Sequence, residues 1–391
     1  MKEKLLTICI ITGSRAEYGL LSPLLKLIKE DEKLQLQIIA TGMHLSPLFG
    51  STWQEIERDG FSINEKVDIE LSKDSKVGIA RSTGLAVIRL SESLERLKPD
   101  WVVLLGDRFE SFAAASAAHL LGIPIAHLHG GELTEGAVDD AFRHAITKMA
   151  SLHFTAAEEY RQRVIQLGES PDRVFNVGAI GLDNVKRLTL LSKNELEKQL
   201  AFTELDKTIL VTFHPVTLES VSSEEQLKEL LGVLDDLKDH KIIFTFPNAD
   251  ADGRVIIGLL EDYVARNVNR AKAFASLGQL RYLSLLKYVQ AMVGNSSSGL
   301  IEAPAFGLPV VNIGSRQNGR LRPPSVIDTP PDKKNISEAV QKALSQSFRD
   351  RCREMSNPYG DGTAAKKILK QIKQVGKVNS TIKRFFDIKH A

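Results

Sequence analysis

The chain has 391 residues, 43% hydrophobic and 26% charged, which is enough for two or three domains at roughly 150 residues each. Lys and Arg total 51 against 49 Asp and Glu, so the formal charge of +2 gives no pull toward nucleic acid or a membrane surface. Cys9 and Cys352 are too few for a disulfide scaffold or a Cys-based zinc site and suit a reducing, cytoplasmic setting. No stretch reaches the ~20 apolar residues a spanning helix needs.

The apolar run at 5–11 is too short for a signal sequence, and Thr12-Gly13-Ser14-Arg15 offers no small-residue cleavage site, so the run reads as a first strand, 5–12. A helix is expected at 18–30 and a strand at 36–41. A helix at 77–97 stops at Lys98-Pro99-Asp100, before a strand at 101–105. Helix 109–121, strand 123–128, helix 139–149, strand 152–155, helix 158–167 and strand 174–177 follow. The strands are continuous apolar runs rather than alternating ones, as strands buried on both faces of a parallel sheet are. Their alternation with helices predicts right-handed βαβ units.

Segment 182–202 is polar and helical, with no core strand. A second series then begins: strand 208–213, helix 224–237, strand 242–246, helix 254–267, helix 280–289, strand 291–293, helix 299–306 and strand 309–313. Late helices are expected at 335–344 and 364–375. The boundary falls within 178–207. The expected organisation is a Rossmann-like domain at 1–180, a second at 181–365, and a tail at 366–391 packing back on the first. In open α/β sheets ligands sit beyond the carboxyl ends of strands. Glycines, charges and hydroxyls collect there in both halves, predicting an interdomain cleft.

Gly294-Asn295-Ser296-Ser297-Ser298-Gly299 follows a strand and opens a helix, which suits a phosphate or diphosphate; ordinary serine capping is the plainer alternative. It is neither a Walker A loop nor GxGxxG. Glu302, one turn on, is placed for ribose hydroxyls or for the helix dipole. Arg15, in the first strand-to-helix turn, is placed to reach an anion, or else pairs with Glu17 at the surface. Asp107, after a strand and Gly106, is a candidate base, metal ligand or helix cap. His127 and His129, one residue apart, would share one strand face; with Glu132 and Asp107 they could bind zinc, or one His is buried and one faces the ligand. Asp140 and Arg143 share a helix face, and His214 ends the first strand of the second half.

Gly13-Ser14-Arg15-Ala16-Glu17-Tyr18, Thr41-Gly42-Met43-His44, Gly106-Asp107-Arg108, His129-Gly130-Gly131-Glu132, Asp139-Asp140 with Arg143-His144-Ala145-Ile146-Thr147-Lys148, Phe213-His214-Pro215 and the 294–299 loop occur in one order. In that order they resemble the hydrolysing UDP-N-acetylglucosamine 2-epimerases of bacterial sialic-acid biosynthesis. The resemblance implies an α/β GT-B fold: two Rossmann-like, doubly wound domains with the site in the cleft between them. It implies conversion of UDP-N-acetylglucosamine and water to UDP and N-acetylmannosamine, by elimination of UDP to a 2-acetamidoglucal and then water addition. Its alternatives are the same chemistry on UDP-N,N'-diacetylbacillosamine, or a GT-B glycosyltransferase. No cofactor and no metal is implied; the partners are the UDP-sugar and UDP, without nucleic acid or membrane, in a cytoplasmic homodimer or tetramer.

Roles carried over by position make Asp107 and Asp140 catalytic acid/base groups and put His214 at the diphosphate. Arg15, Arg108, Arg143, Asn248, Ser296, Ser297, Glu302 and Arg316 become nucleotide-sugar contacts, and Tyr282 falls near the place of an aromatic ring against uracil. Many relatives read His-x-Glu-Gly-Gly-Glu where this chain has His127-Leu128-His129-Gly130-Gly131-Glu132. The first Glu of that motif, a catalytic group in the family, is His129 here, so either His129 takes the proton role, or Glu132 does, or the substrate differs.

Overall fold

The structure, a computed structural model, describes residues 5–70, 75–133, 138–216, 221–247, 251–378 and 380–388. The chain divides into two units, residues 1–184 with 359–391, and residues 185–358. The return to the first unit comes at Tyr359, ahead of the expected 366.

Seven strands build the first unit's sheet: β1 (Leu6–Thr12), β2 (Leu34–Thr41), β3 (Glu65–Val67), β4 (Trp101–Leu105), β5 (Ile125–Leu128), β6 (Leu152–Thr155) and β7 (Val174–Asn176). Helices α1 (Arg15–Glu30), α2 (Trp53–Arg58), α3 (Lys76–Leu97), α4 (Phe109–Leu120), α5 (Val138–Met149), α6 (Glu158–Gln166) and α7 (Leu182–Arg187) connect and follow them. All pairings are parallel, in the order β3-β2-β1-β4-β5-β6-β7.

Alternation along each strand divides the core into two layers. Ile8, Ile10, Trp101, Val103 and Leu105 face Leu21, Leu24, Leu25 and Ile28 of α1. Cys9, Ile11, Val102 and Leu104 face Ala86, Leu90 and Leu94 of α3 and the alanines of α4. With helices on both faces no strand residue can be polar at little cost, which is why the runs are continuous.

The second unit opens with α8 (Lys193–Leu200) and holds β8 (Thr208–Thr212), α9 (Ser223–Asp236), β9 (Lys241–Thr245), α10 (Ala251–Arg266), β10 (Ala271–Phe274), α11 (Gly278–Leu286), β11 (Ala291–Gly294), α12 (Ser298–Ile301), β12 (Val310–Ile313), β13 (Val326–Thr329), α13 (Lys333–Leu344) and α14 (Gln346–Glu354). Its parallel sheet runs β10-β9-β8-β11-β12-β13. Ile209 and Val211 face Leu227, Leu230 and Leu234 of α9, while Leu210 faces Leu196 and Leu200 of α8.

Helix α15 (Ala364–Val375) belongs to the first unit, where Ile368 and Ile372 join the α1 layer. Asp183 of α7 caps it, accepting from the Ala364 and Ala365 N–H groups at 2.8 Å each. Three expectations change. The 182–202 segment is two helices, α7 and α8. The expected 299–306 helix is the single turn α12 followed by a 3-10 turn, Ala303–Phe306, because Pro304 cannot continue an α-helix. Strands β3, β10 and β13 and helices α2 and α14 are additional.

Each sheet changes winding direction once, between β1 and β4 and between β8 and β11. Ligands in open parallel sheets bind beyond the carboxyl ends at such switch points. Among the described residues, no helix is long and apolar enough to cross a membrane.

Candidate active site

At the β1/β4 switch, Ser14 caps α1 in a full capping box: Glu17 Oε2 accepts from the Gly13 N–H at 2.7 Å and the Ser14 N–H at 3.1 Å. Burial pushes the Glu17 carboxyl up to about 7, opposed by Arg108 and by the two backbone donors and helped by Glu110. Arg15 pairs with Glu55 at 2.9 Å and not with Glu17; its side chain is 50% exposed and accessible to a ligand. Arg108 forks onto Glu110, Nε to Oε2 at 3.1 Å and Nη2 to Oε1 at 2.9 Å. Glu110 is buried, and neither it nor Glu17 stood out in the sequence, because a first-turn acid looks like an ordinary dipole partner. The overlooked signal is the pair of glycines opposite: a Cβ on Gly42 would lie 2.7 Å from Glu110 Oε1, and one on Gly13 3.3 Å from its side chain.

Asp107 accepts a hydrogen bond from Arg143 Nη2. The same guanidinium donates through Nη1 to the His129 carbonyl at 2.8 Å and lies 3.8 Å from Glu132 Oε2. Glu132 Oε1 is 2.8 Å from His129 Nδ1. Four of the expected residues, Asp107, His129, Glu132 and Arg143, therefore form one connected cluster. Asp140 lies at the start of α5, 3.6 Å from His144. Its neighbour Asp139 has its carboxyl raised by burial and by the Asp107 charge. Asp107 and Asp140 are the open members, 18% and 28% exposed, while Glu132 and Arg143 are closed off at 5% and 4%.

The zinc alternative needs His127 and His129 on one strand face, and they are not. His127 lies inside β5; His129 lies past its end with a left-handed φ of 64°. His127 is fully buried with its Nε2 2.8 Å from the Gly106 carbonyl and Nδ1 3.2 Å from Thr147 Oγ1. A carbonyl only accepts, so Nε2 carries the hydrogen and Nδ1 takes the threonine's. Burial pulls His127 down to about 3.

At the β8/β11 switch, Gly294 has φ 141° and a Cβ there would sit 2.0 Å from the Thr212 carbonyl oxygen. Buried Asn295 clasps the backbone of His214, accepting from its N–H at 2.7 Å and donating to its carbonyl at 2.8 Å. Burial, and then Arg316, pull His214 down to about 4. Arg316 Nη1 and Gln317 Nε2 donate to the Asn295 carbonyl at 3.1 and 2.8 Å. Tyr282 donates from its hydroxyl to Ser298 Oγ at 2.6 Å, and burial raises that phenol. Ser296 Oγ accepts from the Ser298 N–H at 3.3 Å, and the Glu302 N–H reaches the Ser298 carbonyl at 3.0 Å. His214, Tyr282, Ser296, Ser297, Glu302 and Arg316 thus cluster around one strand end and one short helical turn. Asn248 lies outside the described residues.

The first unit's cluster offers carboxylates held by arginines, suited to moving protons; the second unit's offers hydroxyls, an imidazole and a guanidinium, suited to an oxyanion. A family profile described as UDP-N-acetylglucosamine 2-epimerase matches residues 26–373. The chain belongs to the UDP-N-acetylglucosamine 2-epimerase family. It is an enzyme of that family. A Campylobacter jejuni protein named GDP/UDP-N,N'-diacetylbacillosamine 2-epimerase (hydrolyzing) is 45% identical, covering 97% of this chain and 99% of its own length. A polysialic acid biosynthesis protein of Escherichia coli is 39% identical, covering 97% of each. The crystal structure of a Neisseria meningitidis UDP-GlcNAc 2-epimerase bound to UDP-GlcNAc superposes with a TM-score of 0.80 at 18% identity, over 94% of this chain and 100% of that one. That likeness is one of fold, and the family's GT-B architecture of two doubly wound parallel sheets is the one described above.

Proposed function

We propose that the protein hydrolyses a UDP-activated 2-acetamido sugar with inversion at C2, releasing UDP and the free manno-configured sugar. The match at 45% identity over nearly the whole of both chains carries this reading, and it favours N,N'-diacetylbacillosamine as the sugar. N-acetylglucosamine, giving N-acetylmannosamine for sialic acid, is the second reading, favoured by the Escherichia coli relative.

The C2 hydrogen has no adjacent carbonyl to acidify it, so elimination is easiest when the C1–O bond breaks early. Stabilising the departing diphosphate is then the largest lever. In the second unit, Arg316 supplies the fixed positive charge. His214, neutral at pH 7 without a ligand, takes a proton as the anion approaches, because a nearby opposite charge raises an imidazole's pKa. Ser296, Ser297 and Glu302 hold the nucleotide, with Tyr282 beside the serines. In the first unit, Asp107 or Asp140 removes the C2 proton as the C1–O bond breaks, leaving the 2-acetamidoglucal. The other carboxyl returns a proton to the opposite face of C2 while water adds at C1. Such general acid–base help gives ~10²–10⁴-fold. Arg15 and Arg108 contact the nucleotide-sugar, and Arg143 holds Asp107.

The test incubates the full chain in heavy water with UDP-N,N'-diacetylbacillosamine, its GDP counterpart and UDP-N-acetylglucosamine, without acceptor, and follows the sugar by NMR. Expected is release of UDP with a manno-configured sugar carrying deuterium at C2, fastest for the diacetylated sugar. Three unchanged substrates, or product without deuterium at C2, would reject the reading.

A further inference from the structure

We infer that His129 is a positioning residue and not the proton carrier that its place in the motif suggests; the inference rests on the epimerase reading above. Its ring holds Glu132, and through Glu132 and Arg143 it fixes Asp107.

The backbone at His129 is strained and clamped. A left-handed φ of 64° is unfavourable for a non-glycine residue and persists only where its surroundings over-determine it. Here the His129 N–H donates to the Phe154 carbonyl at 2.8 Å and its own carbonyl receives Arg143 Nη1 at 2.8 Å. The next two residues leave no slack. A Cβ on Gly130 would meet His127 Nδ1 and Thr147 Oγ1 at 3.1 Å, and one on Gly131 the Tyr160 carbonyl oxygen at 2.3 Å. The loop is built to aim one side chain.

Both ring nitrogens have close neighbours, and one of them fixes the hydrogen. The Ile180 N–H, 3.3 Å from Nε2, can only donate, so Nε2 presents its lone pair and Nδ1 carries the hydrogen. That Nδ1 lies 2.8 Å from Glu132 Oε1, an ion-pair contact and not an aligned hydrogen bond. A base would need that lone pair turned toward the sugar; here it points at backbone. The ring is also less exposed than the carboxylates it would compete with, 13% against 18% for Asp107 and 28% for Asp140.

The ring's partner shows its purpose. Glu132 is 5% exposed and lies between the His129 ring and Arg143, whose other nitrogen holds Asp107. A buried carboxylate is stabilised by nearby positive dipoles, and an imidazole turns its Nδ1–H toward Glu132 without adding a charge. A second carboxylate at position 129 would face Glu132 with like charge unless it were protonated.

The test uses His129→Asn and His129→Gly, since Asn and Gly both tolerate a left-handed φ and should fold. Asn keeps an N–H donor near the Nδ1 position but cannot shuttle a proton. Expected is kcat within about 3-fold of wild type for His129→Asn and about 10²-fold lower for His129→Gly, with KM unchanged in both. An Asn variant as slow as the Gly variant makes His129 the proton carrier; a Gly variant as fast as wild type leaves it no role. Independently of turnover, 15N NMR of the imidazole in the ligand-free protein should place the hydrogen on Nδ1. Hydrogen on Nε2 would overturn the inference whatever the substrate proves to be. Absence of wild-type turnover on the three sugar nucleotides would count against the epimerase reading alone.

Discussion

Glu110 shows how one side chain can set up another. Its carboxylate is 1% exposed and takes two of Arg108's donors. Charge-assisted, bidentate bonds of this kind are among the stronger ones, and removing one partner leaves the other uncompensated. Glu110→Gln keeps the shape but offers Arg108 one neutral acceptor in place of a charged fork. We expect KM for the sugar nucleotide to rise about 10-fold, roughly 1.4 kcal/mol, with kcat within about 3-fold, measured by steady-state kinetics. An unchanged KM would show that Arg108 keeps its place without Glu110. The sequence singled out Asp107, Arg143, His129 and Glu132, which the structure joins in one cluster, because each stands in a recognisable motif past a strand end or in the helix that follows. It hid Glu17 and Glu110, whose part depends on which turns meet across β1 and β4. The His127-x-His129 zinc alternative failed at a single residue: β5 stops at Leu128, and His129 turns out of the strand.

Elements show the same division between local and distant causes. The central strands were legible because both their faces are buried, which forces an apolar run. The strands the sequence did not show, β3, β10 and β13, are all sheet edges. An edge strand has one neighbour and a half-wet face, so Glu65-Lys66-Val67 and Val326-Ile327-Asp328-Thr329 carry no run to detect. The turn after β11 stands out in the sequence as a candidate ligand loop, but its reason for glycine does not. Gly294 is required by the Thr212 carbonyl of the neighbouring strand, 2.0 Å from where a Cβ would stand. Gly294→Ala forces β11 away from β8 or strains a φ of 141°. We expect it to destabilise the second unit by about 3 kcal/mol or more, read as a lower urea midpoint. An unchanged midpoint would mean the strand end is looser than the register indicates.

Across the whole molecule, buried histidines make stability depend on acidity. His44 is pulled down to about 4, His127 to about 3 and His153 below its ordinary value, each chiefly by burial, and all three lie in the first unit without exposure. In the second unit His214 is pulled down to about 4 and the more exposed His240 is lowered too. Unfolded histidine titrates near ~6.5. As pH falls below that value the unfolded chain binds protons the folded chain refuses, so folding free energy is lost toward acid. Glu17, raised to about 7, works the other way: its contribution is complete below ~4.5 and is lost as pH rises through 7, so it offsets one of the three histidines on acidification. Glu169, held down to about 2 against its burial by His153, Lys148 and Lys383, begins to lose its contribution only below ~4.5. Between pH 6 and 5 both units therefore take up protons on unfolding and lose stability toward acid. Hydrogen exchange, corrected for its intrinsic pH dependence, should show both the β4 and the β8 amides losing protection between pH 6.5 and 5, and neither changing much between 7 and 8. Absent losses would mean that the buried imidazoles accept protons in place, with water or a local opening reaching them.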